Sequence, residues 1–409
     1  MSRRLVITHV TLSESCPLVC AVCEDHELLE VQGIPSHAPA QILNHIYVGR
    51  VAQVVPSISA AFVEIEKGKT CFLPLSDVSD PVFIKRISAN KLLSQGDELL
   101  VQVVREAVKT KDPQVTTKLS IPGTYCVVTN QGHGLGVSKK LDEDTKNRLK
   151  EIAATVYEDS FGLIIRTNAA QADEKILTGE IQRLQEQMRK ILQYAPYRSL
   201  YSLLYEAPPE YVRILQNQPL EGEHGLEQVV TDDRTVYEHL LLFCETCGSP
   251  GLKEKLHFYE DPQLELKNLY SLQIKMERAL QKKVWLKSGA NLVIEPTEAL
   301  TVIDVNSAKY SKGKKSEKQY LQVNLEAARE IARQIRLRNL SGIILIDFID
   351  LDQEEDQKLL LREMRQLVRD DSVKTEVIDL TKLGLMELTR KKVRAPLRQQ
   401  FGIGLSDEN

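Results

Sequence analysis

Two segments decide the fold of this 409-residue chain: Leu300-Thr-Val-Ile-Asp-Val-Asn306 and Ile343-Ile-Leu-Ile-Asp347. Each contains a run of mostly branched apolar residues, which predicts a buried strand, and a helix is predicted between them over Val323–Arg338. A second predicted helix, Glu354–Val368, is followed by a predicted strand, Thr375–Leu380. Apolar strands that alternate with helices indicate a layered α/β domain in this part of the chain.

An aspartate follows the apolar residues in both segments, at Asp304 and at Asp347. A buried carboxylate costs several kcal/mol unless it is paired or binds a cation. Two carboxylates on neighbouring strands would form a hard oxygen site suited to Mg²⁺. Asn306 lies on the same face of an extended strand as Asp304, where its amide can add an oxygen ligand or orient the substrate. The spacing leaves open a metal site or buried aspartates that cap turns.

Residues 39–121 alternate apolar and polar residues between Gly and Pro, which predicts five short strands. This pattern is typical of a small closed barrel such as an OB fold. Such barrels bind single strands by stacking bases on aromatic rings beside a basic groove. Phe62 and Phe72 lie on adjacent predicted strands, and Lys111 supplies positive charge. The pattern alone favours packing of both phenylalanines in the core of the barrel over contact with a nucleic acid.

Residues 122–212 contain two predicted helices, Glu143–Val156 and Ala172–Gln193. Arg166 and Thr167 lie at the end of the apolar run that begins at Gly162. An arginine fork and a hydroxyl at a strand end can hold a phosphate. An exposed strand end with an ion pair explains the same residues equally well.

Residues 1–38 supply two or three predicted strands, too few for a domain, so we expect them to pair with a distant segment. Between residues 211 and 281, Tyr211–Leu215 is predicted to be extended, and Arg234–Cys247 and Leu269–Gln281 are predicted helices.

Composition excludes several classes of protein. The net charge of −4 rules out a strongly basic nucleic-acid-binding surface over the whole chain, so a polyanion must be held by local patches. No apolar run is long enough for a membrane span, and the N-terminus lacks the apolar core of a signal peptide. Seven cysteines in a long chain indicate a reducing, cytoplasmic setting rather than a disulfide framework.

Two cysteine motifs suggest metal sites. Cys16, Cys20 and Cys23 have the spacing of the iron–sulfur motif of radical enzymes, but the segment is predicted to be a strand rather than a loop. Cys244 and Cys247 form half of a zinc knuckle, but they fall at the end of a predicted helix that stops at Gly248. We expect neither motif to bind metal.

The chain resembles the ribonuclease E/G family over almost its whole length. The resemblance is carried by Glu298–Ala308 and Asn324–Asp350, which are similar to the catalytic core of the family. Asn44–Val51 and Pro56–Ile65 resemble its inserted OB-type RNA-binding domain, and Gly162–Thr167 resembles its sensor for the RNA 5′ end.

This resemblance implies an α/β multidomain fold. Residues 1–38 and 213–277 would form a split RNase H-like subdomain, and residues 39–121 would form an inserted OB-fold RNA-binding barrel. Residues 122–212 would be the 5′-sensor domain, and residues 278–409 a DNase I-like catalytic domain.

It also implies the site residues. Asp304 and Asp347 match the Mg²⁺ ligands, and Asn306 matches a nearby catalytic asparagine. The positions that match the 5′-monophosphate pocket are Gly123, Val127, Arg166 and Thr167. The RNA-contacting positions of the barrel are Phe62, Phe72 and Lys111, which shifts the expectation for the phenylalanines from core to contact.

The implied function is Mg²⁺-dependent endoribonuclease cleavage of single-stranded RNA, stimulated by a 5′-monophosphate, in cytoplasmic rRNA processing and mRNA decay. The products would carry a 5′-phosphate and a 3′-hydroxyl. A catalytically silent RNA-binding scaffold of the same fold is the alternative.

The sequence departs from the family at its C-terminal end. The family commonly carries a Cys-Pro-x-Cys pair that shares zinc between subunits, followed by a small domain, whereas no cysteine follows Cys247 here. Zinc is therefore not expected, the chain resembles a short form, and a homodimer would have to form in another way.

Overall fold

A computed structural model describes residues 2–12, 18–25, 27–34, 42–88, 93–107, 112–132, 134–222, 225–247, 250–297, 299–307, 317–369 and 371–402. The strands, numbered in chain order, are β1 Arg3–His9, β2 Leu18–Glu24, β3 Glu27–Ile34, β4 Ile46–Val55, β5 Ala60–Glu66, β6 Lys69–Pro74, β7 Phe83–Lys85, β8 Glu98–Arg105, β9 Gln114–Thr116, β10 Ser120–Pro122, β11 Cys126–Thr129, β12 Gly134–Val137, β13 Gly162–Ile165, β14 Leu203–Tyr205, β15 Leu226–Thr231, β16 Leu256–Phe258, β17 Lys283–Trp285, β18 Asn291–Pro296, β19 Leu300–Asn306, β20 Gly342–Asp347, β21 Thr375–Leu380 and β22 Leu385–Arg390.

The helices, numbered in the same way, are α1 Glu143–Ala154, α2 Glu174–Tyr194, α3 Glu210–Asn217, α4 Arg234–Cys247, α5 Pro250–Lys255, α6 Leu266–Leu269, α7 Leu272–Leu280, α8 Glu317–Leu337, α9 Glu354–Leu367 and α10 Leu397–Gln400. Asp142 and Asp173 begin α1 and α2, because each side chain accepts a hydrogen bond from a free backbone N–H of the first turn. None of the described helices has both the length and the apolar character needed to cross a bilayer.

One compact unit combines residues 1–37, 226–239 and 255–409. Its first sheet has the order β16-β15-β1-β2-β3, in which β1 pairs in parallel with β15. The N-terminal strands thus complete a sheet with strands that follow much later in the chain.

The second sheet of this unit carries the acidic segments. Its order is β17-β18-β19-β20-β22-β21, and β19 and β20 are parallel neighbours at its centre. Helices α8 and α9 contribute Ile331, Ile335 and Met364 to a core that also contains Ile303 and Ile344. The helices therefore fix which face of β19 and β20 is buried.

The other compact unit contains residues 38–225 and 240–254. Strands β4, β5, β6, β9 and β8 pair in that order, and β4 also pairs with β8, so that the five strands form a closed barrel. This confirms the predicted closed barrel. A separate sheet, β10-β11-β13-β12, packs against α1 and α2.

Three sequence predictions of secondary structure were wrong or incomplete. Tyr211–Leu215 is not extended but lies in α3, where every residue from Glu210 to Gln216 is buried. Its polar residues Glu210, Arg213 and Gln216 recur at helical spacing, but in a segment of eight residues a helix is easily confused with a strand. The helix predicted over Leu269–Gln281 is divided into α6 and α7, because Ser271 has a left-handed φ of 51°. Strand β22, which pairs with β20, was not predicted.

Candidate active site

Strand β19 presents two different faces. Thr301, Ile303 and Val305 are buried, whereas the intervening residues Asp304 and Asn306 are only partly buried. Alternation is expected in a sheet whose one face is covered by helices, because successive side chains point to opposite faces. The acidic and amide side chains therefore lie on the open face of the sheet.

Backbone register brings the two aspartates together. In the parallel pair of β19 and β20, Asp304 lies directly opposite Asp347. Neighbouring strands are about 4.8 Å apart, so two side chains on the same face at paired positions are close enough to share one cation. Both aspartates are thus placed side by side by main-chain hydrogen bonding.

Asn306 contacts the pair directly. Its Nδ2 donates a hydrogen bond of 2.6 Å to Oδ2 of Asp304. The bond fixes the orientation of the Asp304 carboxylate and leaves the amide oxygen of Asn306 as an acceptor. The sequence prediction that Asn306 lies on the face of Asp304 agrees with this contact.

The electrostatics of the pair favour a cation. Partial burial raises the pKa of Asp347, and the carboxylates of Asp304 and Asp350 raise it further. Within the described part of the chain, neither Asp304 nor Asp347 forms an ion pair with a lysine or arginine. Negative charges held together without a counter-charge are what a bound divalent cation would neutralise.

The donor set fits Mg²⁺ better than a metal that requires a protein cage. No group of three or more His, Cys, Asp or Glu side chains among the described residues is arranged to hold a metal. Mg²⁺ commonly takes one or two carboxylates and completes its octahedron with water and substrate phosphate oxygens. Asp304 and Asp347 suffice for such a site.

Asp350 is a residue that sequence reasoning missed. It lies three residues after Asp347 and contributes to the raised pKa of that carboxyl. An added Cβ at Gly384, just before β22, would come within 3.8 Å of an Asp350 carboxylate oxygen. The segment Asp347-Phe-Ile-Asp350 carried the signal, since two acidic residues close a run of apolar ones.

The four predicted sensor residues lie in or next to the sheet that packs against α1 and α2, with Val127 in β11 and Gly123 directly after β10. Arg166 follows β13, and its Nη1 donates to the carbonyl of Gly123 at 2.6 Å. Val127 pairs with Ile164 on the neighbouring strand. The hydroxyl of Thr167 lies 2.8 Å from that of Ser138. Arg166 and Gly123 are in direct contact, and Thr167 is adjacent.

The hydrogen-bond partners of Arg166 are uncharged. Its Nη2 donates to Oδ1 of Asn217 at 2.5 Å. The guanidinium therefore donates to two neutral oxygens, the Gly123 carbonyl and the Asn217 amide oxygen. Burial lowers the pKa of the guanidinium, and Glu180 opposes that shift. No ion pair joins Arg166 to a described carboxylate, which disfavours the alternative of a paired strand end.

Glu180 was not identified from the sequence, although it organises this region. Its buried carboxylate accepts hydrogen bonds from the backbone N–H groups of Thr124, Tyr125 and Cys126, at 2.7 to 3.0 Å. A Cβ at Gly123 would come within 2.5 Å of a carboxylate oxygen of Glu180. A side chain at position 123 would therefore displace the Glu180 carboxylate from these hydrogen bonds.

The barrel places both phenylalanines outside its core. The buried cluster of the barrel contains Val63 and Leu73, whereas Phe62 and Phe72 occupy the alternate, partly buried positions. The two rings lie edge to face with centroids 6.0 Å apart. They form an aromatic surface on directly paired residues of β5 and β6. Lys111 lies outside the described residues.

The cysteine motifs do not assemble a described metal site. Cys20 and Cys23 are buried in β2, three residues apart and hence on opposite faces of the strand. Burial raises the pKa of Cys23 to about 11 and that of Cys20 further, whereas metal ligation requires thiolates. Cys244 is buried in α4; Cys16 and the side chain of Cys247 lie outside the described residues.

Comparisons with known proteins agree with this geometry. Residues 120–393 match the model of the ribonuclease E/G family, and residues 42–118 match that of the S1 RNA binding domain. The match to S1 spans the closed barrel.

Several curated relatives match nearly the whole chain. Ribonuclease G of Escherichia coli K12 is 34% identical over 381 residues, which cover 90% of this chain and 77% of the relative. Ribonuclease G of Haemophilus influenzae is 33% identical, over 92% of this chain and 78% of the relative. Ribonuclease E of Synechocystis is 32% identical over 94% of this chain, which spans only 58% of that relative. By its family model and by these relatives, the chain belongs to the ribonuclease E/G family.

Proposed function

We propose that this protein is an endoribonuclease that cleaves single-stranded RNA with Mg²⁺ held by Asp304 and Asp347. The in-register pairing of these two aspartates on the open face of the sheet is the observation that carries the proposal. Endoribonuclease activity is also what the names of the ribonuclease E and ribonuclease G relatives support. The reaction would serve RNA processing and decay in the cytoplasm.

The chain's own residues have distinct tasks in this reaction. Asp304 and Asp347 hold the ion, and Asn306 keeps the Asp304 carboxylate in place through its 2.6 Å hydrogen bond. Bound Mg²⁺ supplies Lewis acidity at the scissile phosphate and lowers the pKa of a coordinated water. The products carry a 5′-phosphate and a 3′-hydroxyl.

The barrel binds the single strand. Phe62 and Phe72 offer ring surfaces on which unpaired bases stack, and Lys111 contacts the backbone of the RNA. Bases in an A-form duplex are already stacked and paired, so they cannot reach these rings. The S1 match over the same residues supports RNA binding by this part of the chain.

A 5′-monophosphate stimulates cleavage by binding at the sheet β10-β11-β13-β12. Arg166 and Thr167 bind the phosphate oxygens, and Gly123 and Val127 line the pocket. The neutral partners of the Arg166 guanidinium support this role, because they orient it without cancelling its charge.

We also propose the four-part division of the chain implied by the family. An RNase H-like subdomain (1–38 and 213–277) and a DNase I-like catalytic domain (278–409) accompany the OB-fold domain (39–121) and the 5′-sensor domain (122–212).

Purified protein incubated with a 5′-monophosphorylated single-stranded oligonucleotide tests the function. We expect cleavage with Mg²⁺, none with EDTA, and slower cleavage of the 5′-hydroxyl oligonucleotide. Binding without cleavage in Mg²⁺ would instead support the catalytically silent scaffold.

A further inference from the structure

The single tryptophan of the chain lies exposed on the sheet that carries the acidic pair. Trp285 ends β17, the first strand in the order β17-β18-β19-β20, and 67% of its surface is accessible. Its neighbour Val284 packs against the core instead. A large aromatic side chain left in water on a face beside a candidate active site calls for a function.

Register places Trp285 on the same face as the acidic pair. Trp285 lies opposite Asn291, which in turn lies opposite Asn306. Lys283 pairs with Val293, which in turn pairs with Asp304. Paired residues in antiparallel strands share a face, and two strand spacings amount to about 10 Å. Trp285 is therefore within the reach of a nucleotide near the scissile phosphate.

The tryptophan is accompanied by positive charge. The Lys283 ammonium lies 4.3 Å from the centroid of the Trp285 ring, which is a cation–π contact. The ring keeps two thirds of its surface exposed in spite of this contact. Lys282 is paired with Glu295 on β18, so Lys283 is the cation of this strand that faces the ring.

We propose that Trp285 stacks on an unpaired base of the RNA substrate while Lys283 contacts an adjacent phosphate, so that the strand is held across Asp304 and Asp347. An aromatic face beside a cation is the combination by which proteins bind single strands without reading sequence. The inference rests on the proposed function, because it takes the acidic pair as the cleavage centre.

Trp285 reports on its own contact, because no other tryptophan contributes to the emission. The Asp304→Asn variant, which is expected not to cleave, is titrated in Mg²⁺ with an unlabelled single-stranded oligonucleotide. A parallel titration of labelled oligonucleotide follows binding by anisotropy. We expect the tryptophan emission to change saturably with the same midpoint as the anisotropy, and acrylamide quenching to decrease. Unchanged emission and quenching at saturating RNA would overturn the inference.

Substitutions test whether the contact assists cleavage. We expect Trp285→Ala to raise KM about tenfold with little change in kcat, and Trp285→Phe to restore most of the loss, because stacking on an aromatic ring is retained. Lys283→Ala should reduce the slope of the logarithm of the binding constant against the logarithm of salt concentration by about one, which is the value for one lost phosphate contact. Tyr197→Ala is the matched control, an aromatic side chain 85% exposed on the other unit. Wild-type KM in Trp285→Ala would contradict the proposal.

The two proposals fail in different ways. A wild-type protein that cleaves RNA while Trp285 emission ignores bound RNA refutes the stacking contact and leaves the nuclease intact. A protein that never cleaves, yet shows RNA-dependent emission, refutes the nuclease and leaves the contact. Emission that changes on protein dilution and not with RNA would make Trp285 a contact between copies of the chain, against the inference.

Discussion

Asp304 and Asp347 are held side by side by main-chain pairing, and Asn306 donates a hydrogen bond to Asp304. The residue types and their position after apolar runs were predicted from the sequence. Their register was not, because parallel strands joined through a helix leave no local signal of which residues are opposed. The same reasoning missed Asn217 and Glu180, whose roles depend on contacts between distant segments. It also missed Asp350, which lies only three residues after Asp347.

Arg166 is the residue on which sensing of the 5′ end depends most. We predict that Arg166→Ala reduces the ratio of cleavage rates for 5′-monophosphorylated and 5′-hydroxyl RNA towards one, because the charge-assisted hydrogen bonds to the phosphate are lost. Single-turnover rates on both oligonucleotides measure this ratio. Arg198→Ala, an exposed arginine of the same unit, should keep the wild-type ratio. A wild-type ratio in Arg166→Ala would remove the residue from the sensor.

Among the elements, those with a one-sided burial pattern were predicted best. Strands β4 to β6 and helices α1, α2 and α9 alternate or repeat apolar residues at the spacing of their element. Helix α3 was missed although Glu210, Arg213 and Gln216 recur at helical spacing along it. It is only eight residues long, and over so short a segment a helix and a strand are easily confused.

Strands β5 and β6 form the aromatic surface of the barrel. We predict that Phe62→Ala weakens binding of a single-stranded oligonucleotide by about 1–3 kcal/mol, the usual value of one stacked base. Fluorescence anisotropy measures the dissociation constant. Ile58→Ala is the control, since Ile58 is an apolar residue of the same barrel that is 55% exposed and has no ring. Equal affinities of Phe62→Ala and the wild type would exclude stacking at this position.

A buried ion pair joins β22 to the loop before β21. Arg390 Nε donates to Asp371 at 2.7 Å, and both side chains are almost fully buried. Burial alone would raise the pKa of Asp371, but the hydrogen bonds and charge of Arg390, with bonds from Val373 and Thr375, hold it below its usual value. The pair therefore stabilises the sheet above the unfolded pKa of about 3.9, and this contribution is lost as the pH falls through the lower folded pKa.

We predict that Asp371→Asn lowers the free energy of unfolding by about 3–5 kcal/mol at neutral pH, because Arg390 is left buried without its counter-charge. Urea unfolding at a series of pH values measures the effect. The variant should lose less stability than the wild type between pH 5 and 3. Asp379→Asn, an exposed aspartate on β21, is the control. Wild-type stability in Asp371→Asn would show that the pair contributes nothing.

In the whole molecule, strands from the start of the chain form one sheet with strands that come much later. The barrel and the sheet β10-β11-β13-β12 belong to a separate compact unit. Because residues 1–38 contain too few strands for a domain, the sequence predicted that they pair with a distant segment. It did not predict which strand that is, since long-range parallel pairing leaves no signal in the local sequence. The barrel was predicted more fully, because antiparallel strands with short turns keep their partners close in sequence.

The central claim is that Asp304 and Asp347 jointly hold the ion with which the chain cleaves RNA. The most direct measurement is single-turnover cleavage of a single-stranded oligonucleotide in Mg²⁺ by Asp304→Asn, by Asp347→Asn and by the control Asp379→Asn, with RNA affinity measured on the same preparations. We predict that each of the first two loses about a thousandfold or more in rate while binding RNA normally, and that the control is unchanged. Mg²⁺-dependent cleavage at the wild-type rate in either Asp304→Asn or Asp347→Asn would contradict the account.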